Sequence, residues 1–166
     1  MRINALPSFD GQGNSLGYGH LRQVVQDGLE RRGVEVITAP EPVCPLMLVI
    51  TDMGGFFKHS PEQEIIGYTM FETTELAAHM VQTVYACKRI IVPSKHNLTM
   101  MRASGLKLPI DVVPMGVDTS LYTYKPRGPR KKFTFLWCGA TNQRKGPLDA
   151  YRAFAELKLP HAELVI

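Results

Sequence analysis

Four groups of residues have types and spacings that chemistry can use. The first is Gly11-Gln12-Gly13-Asn14-Ser15-Leu16-Gly17-Tyr18-Gly19-His20. Glycines let backbone amides approach a ligand closely, and a helix opening behind such a loop favours negative charge at its N-terminus. Gly11, Gly13 and Gly17 form G-x-G-x-x-x-G, close to a dinucleotide fingerprint, although a flexible strand-to-helix turn accounts for it equally well. A dinucleotide site also wants an acid closing the second strand to hold the ribose. Thr38-Ala39-Pro40 stands there, which counts against a nicotinamide-dependent enzyme. His20 borders the loop and is the first histidine to mutate. His79 and His96 fall on expected helices and read as surface or structural groups.

The second group is Gly67-Tyr68-Thr69-Met70-Phe71-Glu72-Thr73-Thr74-Glu75. It carries Glu72 to the carboxyl end of a strand, where open parallel sheets bind ligands. A carboxylate there can hold a hydroxyl or act as a base. Glu75 reads better as an acid complementing a helix dipole. The third group pairs Ile90-Ile91-Val92-Pro93-Ser94-Lys95 with Val112-Val113-Pro114-Met115-Gly116-Val117-Asp118, each a strand, a proline stop and a polar loop. The fourth runs from Phe133-Thr134-Phe135-Leu136-Trp137-Cys138-Gly139 to Asn142-Gln143-Arg144-Lys145-Gly146-Pro147-Leu148-Asp149. Two cations ahead of a helix N-terminus suit a diphosphate. Arg144-Lys145 alone would be a solvated basic turn.

The elements that must position these groups alternate. Strands are expected over Arg2 to Phe9, Val34 to Thr38, Leu46 to Ile50, Ile65 to Phe71, Arg89 to Val92, Ile110 to Val113, Phe133 to Trp137 and Glu163 to Ile166. Helices fit between them. Leu21, Val24, Val25 and Leu29 repeat at helical spacing before Gly33. Thr73 or Thr74 caps a helix bearing Leu76, Ala77, Met80, Val84 and Cys87 on one face. Ser94 caps another that Gly105 ends, and Pro147 opens the last. The continuous apolar run Leu46-Met47-Leu48-Val49-Ile50 is what a strand buried on both faces needs, and Thr51-Asp52-Met53-Gly54-Gly55 is the polar loop at its end. The fold class is therefore α/β: a Rossmann-like parallel sheet with helices on both faces, followed by the first strand-helix-strand of a second Rossmann-like domain.

Hydrophobic residues make up 45% of the 166, enough for a core, and charged residues 20%. No apolar run reaches bilayer length. The N-terminus does not read as a signal peptide. Cys44, Cys87 and Cys138 lie far apart and read as buried thiols in a reducing compartment, with no disulfide framework or zinc spacing. The net charge is +4, but Lys125-Pro126-Arg127-Gly128-Pro129-Arg130-Lys131-Lys132 alone carries five cations and no acid. The rest of the chain sums to −1, which argues against a nucleic-acid partner, since those need a distributed basic face. This Pro-rich stretch reads as a hinge, because no amphipathic membrane helix accompanies it. Attraction to an anionic membrane surface is its alternative.

In their order, these motifs resemble family 4 glycosyltransferases, which are retaining enzymes. The carrying residues are Val92-Pro93-Ser94, Gly105, Val113-Pro114-Met115-Gly116-Val117-Asp118, then Gly139, Arg144-Lys145-Gly146 and Ala153-Phe154. The glycine loop with Arg32-Gly33-Val34-Glu35-Val36 is similar too. The resemblance implies two facing Rossmann-like domains, the GT-B arrangement, with a nucleotide-sugar as co-substrate and no other cofactor. It divides the chain into an acceptor-side domain over 1–122, a basic linker over 123–132 and a truncated start of the donor-binding domain over 133–166. It places Gly17 and Gly19 near the donor phosphates, with Arg144 and Lys145 stabilising the leaving group and no metal needed. Tyr18, Asp52 and Ser94 would line the acceptor cleft, and Glu72 and His20 would be the catalytic candidates. Ala140 stands where many members carry arginine, and the family's paired glutamates are not in this sequence. The expectation is a cytoplasmic transferase portion, inactive alone, with a saccharide or lipid-linked acceptor and peripheral membrane contact left open. The competing class is a non-catalytic binding or assembly module that pairs with another chain, including a second copy, through the incomplete second domain.

Overall fold

The computed structural model describes residues 1–5, 17–38, 43–51, 62–129 and 131–166. They divide into two compact units, Met1–Gly116 and Val117–Ile166.

In the first unit strands and helices alternate: β1 (Arg2–Ala5), α1 (Tyr18–Glu30), β2 (Glu35–Ile37), β3 (Leu46–Ile50), β4 (Glu64–Tyr68), α2 (Ala78–Val84), β5 (Arg89–Val92), α3 (Lys95–Ala103) and β6 (Ile110–Val112). All six strands are parallel, in the order β2-β1-β3-β4-β5-β6. The chain moves outward from β1 to β2, then returns to β1's other side with β3, where Asn4 pairs with Met47. This reversal is the topological switch point of a doubly wound sheet, and ligands bind beyond the strands' carboxyl ends there.

Side chains alternate across a strand, so an uninterrupted apolar strand needs cover on both faces. Met47, Val49, Ile65, Ile90 and Val92 join Val84 of α2 and Met100 and Met101 of α3 in one cluster. Ile3, Leu48, Ile50 and Tyr68 join Leu21 of α1 in the other. Ile90, Val92, Val84 and Met101 have no exposed surface. Each such side chain contributes about 1.5–3 kcal/mol of transfer free energy. The unit is thus a Rossmann-like α/β fold, as the alternation requires. At the solvated margins, Arg89 pairs with Asp111 and Lys88 with Glu64, exposed ion pairs of small energetic weight.

Three local expectations are corrected. The fourth strand ends at Tyr68 rather than Phe71. The carbonyls of Met70 and Phe71 leave the ladder because side chains of α1 and α3 take them. The helix after it starts at Ala78, and its N-cap, Ala77, offers no side-chain cap. Thr73 cannot cap it, since its Oγ1 donates to the Glu75 carbonyl at 2.6 Å, closing a bend instead. The cysteines are not uniformly buried: Cys87 is, Cys44 is half-buried and Cys138 is exposed. By contrast, Ser94 does cap α3, accepting from the Asn97 amide, and Gly105 follows that helix at φ +86°.

The second unit contains β7 (Phe133–Leu136), a 3₁₀ turn (Gln143–Lys145), α4 (Pro147–Leu157) and β8 (Ala162–Val165). β7 and β8 pair in parallel, from Phe133 against Ala162 to Leu136 against Val165. Phe135 meets Phe154 of α4 edge-on at 5.7 Å between ring centres. Among the described residues of this unit none is buried.

Candidate functional site

Gly17, at the N-cap of α1, is exposed and supplies no side-chain cap. Tyr18 follows, half-buried, and its hydroxyl donates to the Met70 carbonyl at 3.1 Å. One residue on, the Phe71 carbonyl accepts from Asn97 Nδ2 at 2.6 Å. Asn97 is 4% exposed and also accepts through Oδ1 from the Ser94 hydroxyl at 3.0 Å. The first turns of α1 and α3 therefore grip the strand-exit segment 69–72 through consecutive carbonyls. This brings Tyr18 and, through Asn97, Ser94 to the segment that leaves β4, on which Glu72 lies, while Gly17, Gly19 and His20 flank Tyr18 in the chain.

Of these residues, His20 and Glu72 are exposed and Ser94 is half-buried. Thr69, fully buried at the root of the segment, gives its amide to the Ile91 carbonyl, while its Oγ1 finds no hydrogen-bond partner. Such a buried orphan is uncommon away from ligand sites and strained positions. Below it, Tyr68 donates its hydroxyl to the Val113 carbonyl at 2.9 Å, and burial raises its pKa above 10.0. This tyrosine is therefore a neutral brace. Asp52 lies outside the described residues.

The second unit builds a separate basic turn. Asn142 accepts from the Lys145 amide through Oδ1 at 3.1 Å, and Trp137 Nε1 donates to the Lys145 carbonyl at 3.1 Å. Both backbone groups of Lys145 are thereby fixed while its side chain stays exposed. Gly146 turns the chain at φ +65°, which a residue with a Cβ adopts only with strain. Gly139 is favoured for a different reason: a Cβ there would crowd the Trp137 ring at 3.3 Å. Arg144 lies beside Lys145 in the same turn, just before Pro147 opens α4. A cavity of about 800 Å³ adjoins that helix N-terminus, lined by Asn142, Gln143, Gly146, Asp149, Arg152 and Ile166 among others, but not by Arg144 or Lys145. Asp149 offsets positive potential at that helix end.

The chain matches no protein-family model and no curated protein. Fold and geometry therefore carry the functional argument. Among the described residues no group of three or more His, Cys, Asp or Glu side chains is placed to hold a metal ion. No described helix is long and apolar enough to cross a membrane.

Sequence reasoning singled out Tyr18, Glu72 and Ser94 but missed Asn97, Thr69 and Trp137. Asn97 had a readable signal, because Ser94-x-x-Asn97 has the spacing by which a cap and a third-position residue engage each other. Thr69 and Trp137 had none, since their partners are set by tertiary packing. Asp118 also proves architectural: its Oδ1 accepts from the amide and hydroxyl of Ser120, closing a turn.

Proposed function

We propose that this chain is part of a GT-B glycosyltransferase of the family 4 kind, moving a sugar from a nucleotide-sugar to an acceptor. The observation carrying this reading is the double grip on residues 69–72. It holds the strand-exit segment against the starts of α1 and α3, and the carboxyl ends of a doubly wound sheet are where such folds bind ligands, which supports the reading. Residues 1–122 belong to the acceptor side, 123–132 to a linker and 133–166 to the donor side. The amides of Gly17 and Gly19 approach donor phosphate oxygens. Tyr18 and Ser94 line the acceptor cleft with Asp52, Glu72 orients or deprotonates the acceptor hydroxyl, and His20 borders the reacting centre. Lys145 and Arg144 neutralise charge on the departing diphosphate, the main electrostatic task of such a transfer.

The test is calorimetric titration of the chain with uridine-, guanosine- and adenosine-diphosphate sugars. One of them should bind, and Lys145→Ala should weaken it about tenfold to a hundredfold, since a charge-assisted hydrogen bond contributes roughly 1.5–3 kcal/mol. Failure of all of them to bind at millimolar concentration sinks the donor assignment. Titration with nicotinamide dinucleotides in parallel separates this from a dinucleotide enzyme, which Thr38 after β2 disfavours.

A second reading has its own observation. Phe133, Leu136, Leu148 and Ile166 are 66%, 72%, 65% and 56% exposed around a two-stranded sheet. Open parallel edges with apolar flanks suit pairing with another chain. Light scattering that finds a monomer at every concentration removes this assembly role.

A further inference from the structure

The sequence holds no Asp or Glu between Asp118 and Asp149. Within that span Lys125, Arg127, Lys131 and Lys132 are all exposed. Arg127, Lys131, Lys132 and His161 line a cavity of about 420 Å³ whose floor includes Phe133 and Thr134. Phe133 begins β7, and its amide bonds to the His161 carbonyl just before β8. The cations therefore gather at the amino end of the small sheet, whereas Lys145 and Gly146 follow β7 at its carboxyl end. The neighbouring carboxylate, Glu163, accepts from Thr134 Oγ1 at 2.8 Å. A second cavity, lined by Tyr124, Lys125 and Pro126, shares Arg127 and Gly128 with the first.

Apolar and aromatic groups flank this charge. Leu121, Tyr122, Tyr124 and Phe133 are 71%, 69%, 90% and 66% exposed. Cations attract an anionic lipid surface, and aromatic rings with a polar tip settle at its headgroup level. A nucleic acid would reward cations spread over a face, not one short segment with an exposed leucine beside it. We propose that residues 121–129 and 131–133, with His161, dock on an anionic lipid bilayer. Its residues are other than those assigned to the nucleotide-sugar above, so this inference stands or falls without that reading.

The experiment is flotation of the full chain with phosphatidylcholine vesicles, with and without about one-third phosphatidylserine. The chain should float with the anionic vesicles alone, and less so as salt rises. Replacing Lys125, Arg127, Lys131 and Lys132 by Gln should weaken binding about fivefold per cation. Tyr122→Ser with Tyr124→Ser should also weaken it while leaving the salt dependence unchanged. All six side chains are exposed, and unaltered circular dichroism confirms that the fold survives. Equal flotation on neutral vesicles, no flotation at all, or undiminished binding by the four-Gln variant overturns the proposal. So does displacement by inorganic phosphate at constant ionic strength, which would mark a small-anion pocket. Tighter binding to a single-stranded oligonucleotide, lost in the four-Gln variant, would assign the surface to nucleic acid instead.

Discussion

At the residue scale, Asn97 ties α3 to the strand-exit segment. It caps with Ser94 and holds the Phe71 carbonyl from a buried position. Asn97→Ala leaves that carbonyl without its donor, and should cost about 1–3 kcal/mol in urea denaturation. Tyr18→Phe should cost less, about 0.5–1.5 kcal/mol, because Tyr18 is half-buried whereas Asn97 is buried. Equal stability of Asn97→Ala and wild type would show that segment 69–72 is held by something else. The cysteines give a second prediction. Burial pushes the Cys87 thiol from 9.0 up to about 12. The folded state then holds this proton more tightly than the unfolded chain does. Its contribution to stability is complete below pH 9 and is lost as pH rises from about 9 toward 12. Cys87→Ala should flatten that alkaline loss in denaturation curves. Mass spectrometry after brief alkylation at neutral pH should find Cys138 modified first and Cys87 last.

At the element scale, the strands that read most plainly were those with the least choice. Leu46 to Ile50 and Arg89 to Val92 fall where their apolar runs put them, because a continuous run has no polar face to offer water. Ile90→Ala should cost about 2–5 kcal/mol in thermal or urea unfolding, as its side chain is wholly enclosed between β5 and the helices. Glycine punctuation was equally legible, since Gly33, Gly105 and Gly146 all take positive φ. Gly146→Ala should lose about 1–2 kcal/mol and disturb the turn that fixes Lys145. The start of α2 was not legible. Thr73 and Thr74 look like caps, but Thr73 Oγ1 donates to the Glu75 carbonyl, the Leu76 amide bonds Ser104 Oγ, and the helix begins at Ala78. That tie spans distant sequence and no local pattern announces it. The same holds for the end of β4, which depends on residues of two different helices.

At the scale of the whole molecule, the two units differ in how completely they enclose their own residues. The first carries two buried clusters, while the described part of the second buries nothing. Amide hydrogen exchange should therefore be slowest in β3, β4 and β5 and fast throughout 133–166. Comparable protection in β7 would contradict the exposure seen there. The parallel class of the fold was legible because alternation and composition act over long windows. The grip on residues 69–72 was not, because it joins positions 52 and 26 residues apart. The position of β1 has a consequence for how the chain is made. This strand lies between β2 and β3, yet β2 is synthesised before β3, which begins more than forty residues after β1 ends. During elongation, β1 and β2 can join with α1 while the other edge of β1 stays unpaired, with Asn4 facing a partner still to come. Parallel pairing across such separations is slow and leaves edges open to other chains. Until Met47 and Leu48 leave the ribosome and close that edge, the nascent protein carries an unpaired strand edge open to other chains.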